Sequence, residues 1–214
     1  MRFRNICIGL LIAVSLVVTP MAIQSHTTIN TKPDYSLIRQ ATRLLYINDI
    51  SNGSGVMIAP NRMITANHVA VQDSEFTPLM LGVTRVKVLK TDPENDLALL
   101  EVQANCPCVP VGDIQKVDTQ VVLVGFPSND TLQTQILTLG NYQGISTRGN
   151  FIVATSPGSP GNSGGGLFYN KDGKWYLLGV LTGGAGTVIG GMYPQMVFHL
   201  TVSVHPDHIK ELIK

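Results

Sequence analysis

One serine stands inside a run of small residues, Ser159–Gly166, with the sequence Ser-Pro-Gly-Asn-Ser-Gly-Gly-Gly. The hydroxyl of Ser163 is a group that can attack a carbonyl carbon. Gly161 has no Cβ and can adopt backbone conformations closed to other residues. The N–H groups of Gly161 and Ser163 could then point at one spot, as a developing oxyanion requires. The segment predicts either a nucleophile with its oxyanion hole or a glycine-rich hairpin loop with an incidental serine.

Two upstream segments contain the partners that such a serine needs. The first, Gly53–Val69, ends in Thr-Ala-Asn-His68-Val, and the second is Asp96 followed directly by the apolar run Leu-Ala-Leu-Leu. A histidine can take the proton of an attacking hydroxyl near neutral pH. An ionised aspartate can accept the other ring N–H and hold the imidazole in its working tautomer. The order His68, Asp96, Ser163 therefore predicts a catalytic triad.

His68 and Asp96 also allow structural interpretations. His68 could be a hydrogen-bonded core histidine, and Asp96 a cap at a strand edge. Asp92 is a rival carboxylate, but Asp96 is preferred because it immediately precedes the apolar strand that would anchor it. Three histidines near the C-terminus are expected to be structural or solvated: His199, His205 and His208.

The chain resembles the trypsin/chymotrypsin-like serine proteases, in particular the HtrA (Deg) type of trypsin-like domain. The matching motifs are Thr-Ala-x-His68-Val, Asp96-Leu-Ala-Leu-Leu and Gly161-Asn-Ser163-Gly-Gly. The resemblance implies an all-β fold of two antiparallel six-stranded β-barrels, with the active site between them and a short C-terminal helix. HtrA proteins continue into peptide-binding PDZ domains, which this sequence does not contain, so a PDZ-regulated cycle is not expected.

The resemblance covers roughly residues 34–214 and implies how that part is divided. The expected bounds are about 34–112 for barrel one, about 118–202 for barrel two and 206–214 for the helix.

The serine segment also matches the G-x-S-x-G nucleophile elbow of α/β-hydrolases. In that fold the acid and the histidine follow the serine in the chain. Only 214 − 163 = 51 residues follow Ser163, too few for the remaining strands and crossover helices of a parallel sheet. The elbow interpretation is therefore rejected.

The first 25 residues have the pattern of a secretory signal peptide. Arg2 and Arg4 precede an apolar run, Ile6–Val18, which is shorter than the ~20 residues that span a bilayer. We expect residues 1–25 to be a cleaved signal and 26–33 a linker, so that the protein is exported, either periplasmic or secreted. An uncleaved membrane anchor is the alternative.

Charge and cysteine content exclude some classes of partner. Without Arg2 and Arg4, the chain has 13 basic and 14 acidic residues. No stripe of basic residues is visible in the sequence, so nucleic acid is not expected as a partner. Cys106 and Cys108 are expected to be reduced thiols without function, because a disulfide closing so short a ring would be strained. No metal ligand set and no cofactor motif is visible, so no cofactor is expected.

The resemblance also implies where a substrate would bind. Pro157 lies where trypsins have the aspartate that binds Lys or Arg, and Thr182, Gly183 and Gly184 would form the strand that pairs with the substrate backbone. These residues predict an endopeptidase that cleaves extended or unfolded polypeptides after small or medium apolar side chains. An inactive trypsin-like binding module and an esterase-like serine hydrolase remain as alternatives.

Overall fold

The computed structural model describes residues 33–47, 51–72, 75–76, 79–81, 84–105, 107–128, 134–147, 149–189 and 195–214. The predicted signal peptide, the linker up to residue 32 and Cys106 lie outside the described residues. The fold below is that of the compact unit Asp34–Lys214.

The first half of this unit is an antiparallel sheet of seven strands with two short helices. Strand alternation places Leu45, Met57, Ile64 and Leu100 in its core, where all four are fully buried. The sheet order is β7-β6-β1-β2-β3-β9-β8, and β4 and β5 form a separate two-stranded ribbon. The elements are α1 (Ser36–Ala41), β1 (Thr42–Ile47), β2 (Ser51–Ala59), β3 (Arg62–Ala66), α2 (Asn67–Ala70), β4 (Val71–Gln72), β5 (Glu75–Phe76), β6 (Leu79–Leu81), β7 (Thr84–Arg85), β8 (Lys87–Asp92) and β9 (Leu97–Glu101).

The second half is a closed six-stranded antiparallel barrel followed by a helix. Its strand order is β10-β11-β12-β15-β14-β13. The β13–β14 hairpin turns at Asp172 and Gly173, which both have positive φ, as a two-residue hairpin loop requires. The elements are β10 (Gln120–Gly125), β11 (Ile136–Ile145), β12 (Phe151–Ala154), β13 (Gly166–Lys171), β14 (Lys174–Ile189), β15 (Gln195–Val204) and α3 (Pro206–Leu212).

These elements confirm the predicted all-β, trypsin-like class with its short C-terminal helix. The second barrel has the six strands expected. The first sheet has seven, and β7 and β8 are its terminal strands. The extra strand arises because β6 and β7 form a short hairpin at the edge, pairing Met80 with Arg85.

One apolar core joins the two halves. Phe168, Leu177 and Val180 of the barrel pack in the same cluster as residues of the first sheet, such as Leu97. A second cluster, which includes Leu123 and Ile152, fills the barrel itself. Because burying such a side chain contributes about 1.5–3 kcal/mol, the shared cluster holds the two halves in a fixed arrangement.

The expectation of two reduced thiols is wrong for Cys108, which is disulfide-bonded. Its partner lies outside the described residues. The expectation rested on the strain of a short ring, whereas pairing depends on where the fold places the sulfur atoms.

The helices of the described residues are short, with six, four and seven residues. None of them is long and apolar enough to cross a membrane. α3 begins after the N-cap His205, whose Nδ1 accepts a hydrogen bond from the backbone N–H of Asp207 at 3.2 Å.

This cap makes stability depend on pH. Burial lowers the pKa of His205, although Asp207 opposes the shift. A lowered folded pKa means that the cap stabilises the helix above about pH 6.5 and that this stabilisation is lost as the pH falls below it. His205→Asn keeps a capping side chain that does not titrate, so we expect the variant to lose about 1 kcal/mol less on acidification. Thermal unfolding above and below pH 6.5 measures this, and an equal loss in both proteins would contradict it.

Candidate active site

Strand pairing brings His68 and Asp96 together. β3 pairs with β9 so that Ala66 lies opposite Leu97. Asn67 directly follows β3 and Asp96 directly precedes β9, so these two residues lie side by side. The N–H of Asn67 donates to the carbonyl oxygen of Asp96 at 3.0 Å. Asp96 has a φ of 54°, a conformation that aspartate tolerates better than most residues. This turn aims its carboxylate at α2, where His68 lies.

Both oxygens of the Asp96 carboxylate bind His68. The backbone N–H of His68 donates to Oδ1 at 2.9 Å, and its ring Nδ1 lies 2.8 Å from Oδ2. Burial alone would raise the pKa of Asp96, but hydrogen bonds from His68 and Thr182 outweigh it and lower the pKa below its usual range. An ionised carboxylate only accepts, so Nδ1 carries the ring proton and Nε2 keeps a free lone pair.

Thr182 has a role that the sequence did not indicate. Its hydroxyl donates to Oδ2 of Asp96, across 86 residues of chain. Thr182 belongs to β14 of the barrel, so this bond ties the carboxylate to the second half of the molecule. No local pattern predicts such a contact.

The Ser163 loop packs directly against the strands that lead to His68. The carbonyl oxygen of Ser163 accepts the N–H of Ser54 at 2.7 Å, and the N–H of Gly164 donates to Leu181 at 2.7 Å. Gly164 has a φ of 80°, and a Cβ there would lie 2.0 Å from the carbonyl oxygen of Ser54 and 2.2 Å from the Thr65 hydroxyl. Only glycine lets the loop backbone come this close to β2 and β3, and the loop therefore lies beside the end of β3.

Ser54 is a second residue that sequence reasoning missed. It is fully buried; its hydroxyl accepts the N–H of Phe126 at 2.9 Å and donates to the carbonyl oxygen of Gly161 at 3.1 Å. Ser54 therefore joins the first sheet to the barrel beneath the serine loop. The sequence feature that could have indicated this role is a small polar residue between two glycines at the start of an apolar strand.

The peptide bond before Gly161 is oriented by a contact from outside the loop. The carbonyl oxygen of Pro160 accepts the N–H of Ser128 at 2.7 Å. Because a trans peptide bond points its N–H opposite to its carbonyl, the N–H of Gly161 is directed away from Ser128. Within the described structure, the N–H groups of Gly161 and Ser163 have no intramolecular acceptor. Both are therefore available to a ligand.

Among the hydrogen bonds that join described residues, none links Ser163 Oγ to the His68 ring. Contacts of this kind are often long in ligand-free enzymes and tighten when substrate binds. The His68 side chain is 49% exposed, so its free Nε2 edge is open to such a change.

A cavity of about 350 Å³ lies beside the serine loop. Apolar side chains such as Pro157, Pro160, Ile136 and Met196 line it, and among the described residues no charged side chain does. Pro157 is thus at a cavity wall, whereas Thr182, Gly183 and Gly184 are not among the lining residues.

Gly183 and Gly184 lie on a strand edge that has no partner in the described structure. β13 pairs with β14 only as far as Val180, while β14 continues to Ile189 against β15. A Cβ at Gly183 would meet no atom within 4 Å. An extended peptide could pair with this edge.

The other candidate groups lie apart from this arrangement. Asp92 accepts hydrogen bonds from Asn95, at 3.1 Å from its backbone and 2.7 Å from its side chain. His199 contacts Thr187 at 2.9 Å, and His205 packs against His208. Across the described residues, no group of three or more His, Cys, Asp or Glu could hold a metal ion.

Comparison with protein families matches residues 53–180 to the trypsin-like peptidase domain. This match covers more than half of the chain. The chain belongs to the trypsin-like peptidase family. The matched part of the peptidase domain includes His68, Asp96 and Ser163.

Relatives point to the HtrA-like branch of this family. A Pseudomonas putida protein named "Probable periplasmic serine endoprotease DegP-like" is 32% identical over 130 residues, 56% of this chain and 27% of its own. The uncharacterized y4bJ protein of Sinorhizobium fredii is 30% identical over 159 residues, 69% of this chain and 25% of its own. The peptidase domain thus spans about a quarter of the length of these curated relatives.

The solved structure titled "HtrA-type protease AlgW with tripeptide" has the same fold. It superposes with a TM-score of 0.64 at 23% identity, covering 85% of this chain and 62% of that one. This likeness shows the fold, and the HtrA-like assignment rests on the DegP-like relatives.

Proposed function

We propose that this protein is an exported serine endopeptidase that hydrolyses peptide bonds through an acyl-enzyme. The observation that carries the proposal is the paired contact between Asp96 and His68, at 2.9 and 2.8 Å. The Ser163 loop packs against Ser54 and the end of β3, the strand that leads to His68, and the proposal joins these three residues in a triad.

Each residue then has a defined step. Ser163 Oγ attacks the scissile carbonyl carbon while His68 Nε2 takes its proton. Asp96 holds the Nδ1 proton and stabilises the imidazolium. His68 next gives its proton to the leaving amine, which departs and leaves an ester on Ser163. A water molecule, activated by His68, hydrolyses that ester and frees the enzyme.

The N–H groups of Gly161 and Ser163 are proposed to stabilise the tetrahedral oxyanion in both steps. The orientation of the Gly161 N–H is supported by the Ser128 contact with Pro160. Gly161 has a φ of 90°, and a Cβ there would lie 2.2 Å from the backbone nitrogen of Ser128. The Ser128 contact thereby holds this one donor in place before substrate arrives, and such preorganisation is the source of the effect of oxyanion donors.

Removing the Ser128 N–H should loosen this oxyanion hole. Ser128→Pro eliminates that donor, and we expect kcat to fall at least about tenfold with little change in KM, because the oxyanion exists only in the transition state. Ser128→Ala retains the N–H and is the matched control, expected to keep wild-type kcat. Steady-state kinetics on one peptide substrate decides, and equal kcat in the two variants would remove Ser128 from the mechanism.

The cavity supports a preference for apolar side chains before the scissile bond. The described residues that line it offer no countercharge, and burying an unpaired charge is costly. An aliphatic side chain gains about 0.8 kcal/mol per buried methylene. Substrates would be extended or unfolded, because their backbone must pair with the free edge at Gly183 and Gly184.

We therefore expect cleavage after Ala, Val or Leu. Mass spectrometry of a digested peptide library measures this preference directly. A profile dominated by Lys, Arg or Glu would contradict the assignment of the cavity while leaving the triad intact.

Labelling with a fluorophosphonate tests the hydrolytic mechanism itself. The proposal expects covalent modification of Ser163 in the wild type and none in Ser163→Ala. An unlabelled wild type would favour an inactive binding module. A labelled protein that cleaves esters but no peptide would favour the esterase-like alternative.

Export is proposed from the N-terminal sequence and from the periplasmic names of the DegP-like relatives. N-terminal sequencing of protein from its native host should find the mature chain starting between about Ile23 and Thr27. An intact Met1 on membrane-bound protein would favour the uncleaved anchor.

A further inference from the structure

A recess of about 510 Å³ lies between β1 and the residues that flank β10 and β11. Two of its lining residues are arginines, Arg39 and Arg43, and we call it the arginine recess. Four others are apolar or aromatic: Leu44, Tyr46, Leu81 and Phe126. None of the candidate catalytic residues lines it.

The positive charge of the arginine recess is not neutralised within the described structure. Among the described residues, no carboxylate lines the recess and neither arginine forms a salt bridge. Arg39 donates from Nη1 to the neutral amide of Gln135, at 3.3 Å. The Nε atom of Arg43 is buried and has no hydrogen-bond partner in the structure. Because buried donors in folded proteins are normally paired, a carboxylate bound in the recess would supply the acceptor that this donor lacks.

The backbone that carries the two arginines is held by regular structure. Arg39 lies in the last turn of α1, and Arg43 is the second residue of β1. The side-chain nitrogen of Gln135 donates to the carbonyl oxygens of Arg39 at 2.8 Å and Thr42 at 3.1 Å. This clamp fixes the junction between α1 and β1, so a ligand need not order it.

We propose that the arginine recess binds an acidic segment of the polypeptide substrate, in which apolar residues flank a Glu or Asp. A carboxylate matches the planar donor fork of arginine and can bind it bidentately. The neighbouring apolar side chain would pack on the surface formed by Leu44, Tyr46, Leu81 and Phe126.

One residue connects the arginine recess to the candidate nucleophile. Leu44 pairs with Ser54 across β1 and β2, and the N–H of Phe126 donates to the Ser54 hydroxyl. The N–H of Ser54 in turn donates to the carbonyl oxygen of Ser163. Ser54 alone thus separates the recess from the serine loop, and neighbouring residues, Phe126 with Ser128 and Gln135 with Ile136, line the recess and the cavity beside that loop. This proximity supports a substrate segment in the recess. The identification of the occupant as substrate rests on the proposed endopeptidase function.

Binding is measured with two fluorescent peptides that differ only in charge. One contains Leu-Glu-Leu-Asp and the other the matched amides Leu-Gln-Leu-Asn, and Ser163→Ala protein prevents their cleavage. We expect the acidic peptide to bind about tenfold more tightly, the effect of one charge-assisted hydrogen bond. Arg43→Gln should abolish the difference, and Arg43→Lys should retain part of it.

Arg85→Gln is the control, because it removes the same charge from a different recess. It should leave the preference for the acidic peptide unchanged. Equal binding of the two peptides, or an unchanged preference in Arg43→Gln with native melting behaviour, would overturn the proposal.

The cleavage assay separates this inference from the proposed function. Fluorogenic versions of both peptides, with Ala-Ala added as a cleavable step, are given to protein with intact Ser163. Hydrolysis of both peptides at equal kcat/KM would contradict the proposed role of the arginine recess and support the endopeptidase function. Binding that depends on Arg43, without hydrolysis or fluorophosphonate labelling, would support the recess as a binding site and contradict the endopeptidase function.

Discussion

Ser163→Ala is expected to lower kcat on a peptide substrate by about 10⁶-fold, because it removes the hydroxyl that forms the ester. The fold should be unaffected, since the contacts of Ser163 to Ser54 use its backbone carbonyl oxygen and not its hydroxyl. Active-site titration with a fluorophosphonate, together with steady-state kinetics, measures the loss.

A second substitution tests whether Ser163 acts within a unit. The double variant Ser163→Ala/His68→Ala should be no slower than Ser163→Ala alone, because the residues of a triad do not contribute additively. Thermal unfolding checks that both variants are folded. Near-wild-type hydrolysis by folded Ser163→Ala would show that the nucleophile lies elsewhere.

Asp96→Asn should lower kcat by about 10⁴-fold. The amide that replaces Oδ2 or Oδ1 can donate to Nδ1 of His68, which moves the ring proton to Nε2, where it blocks uptake of the serine proton. Steady-state kinetics at neutral pH measures the loss, and Asp92→Asn is the matched control, expected to keep wild-type kcat.

The same variant has a predicted effect on acid stability. The lowered pKa of Asp96 means that its ionised form stabilises the fold above about pH 4 and that this stabilisation is lost as the pH falls through the folded value. Asp96→Asn should therefore show a smaller loss of stability on acidification than the wild type. An Asp96→Asn protein with unchanged kcat and unchanged acid stability would exclude the carboxylate from both roles.

Much of this protein was predictable from short stretches of sequence. The fold class follows from alternating apolar residues between turn signals, because strand burial and hairpin geometry are encoded over a few residues. The motifs of His68 and Asp96 stand at the end of β3 and directly before β9, two strands that pair in the sheet. The six strands of the second barrel were expected from the resemblance to trypsin-like proteases.

Other features left no signal that could be recognised in the sequence. The seventh strand of the first sheet comes from an edge hairpin too short to leave a periodic pattern. The disulfide of Cys108 reflects where the fold brings sulfur atoms, which ring-strain arguments from the sequence did not capture.

The supports of the candidate site were also decided by tertiary structure. Thr182 reaches Asp96 across 86 residues, and Ser54 bonds to Gly161 across 107. Ser128 orients the peptide bond before Gly161 through its backbone N–H. Because every residue except proline has this group, the sequence does not indicate the contact. The sequence by itself determined which residues have the chemistry of a serine peptidase. Packing of the barrel against the first sheet decided which groups hold them in place, because that packing joins segments whose spacing carries no local signal.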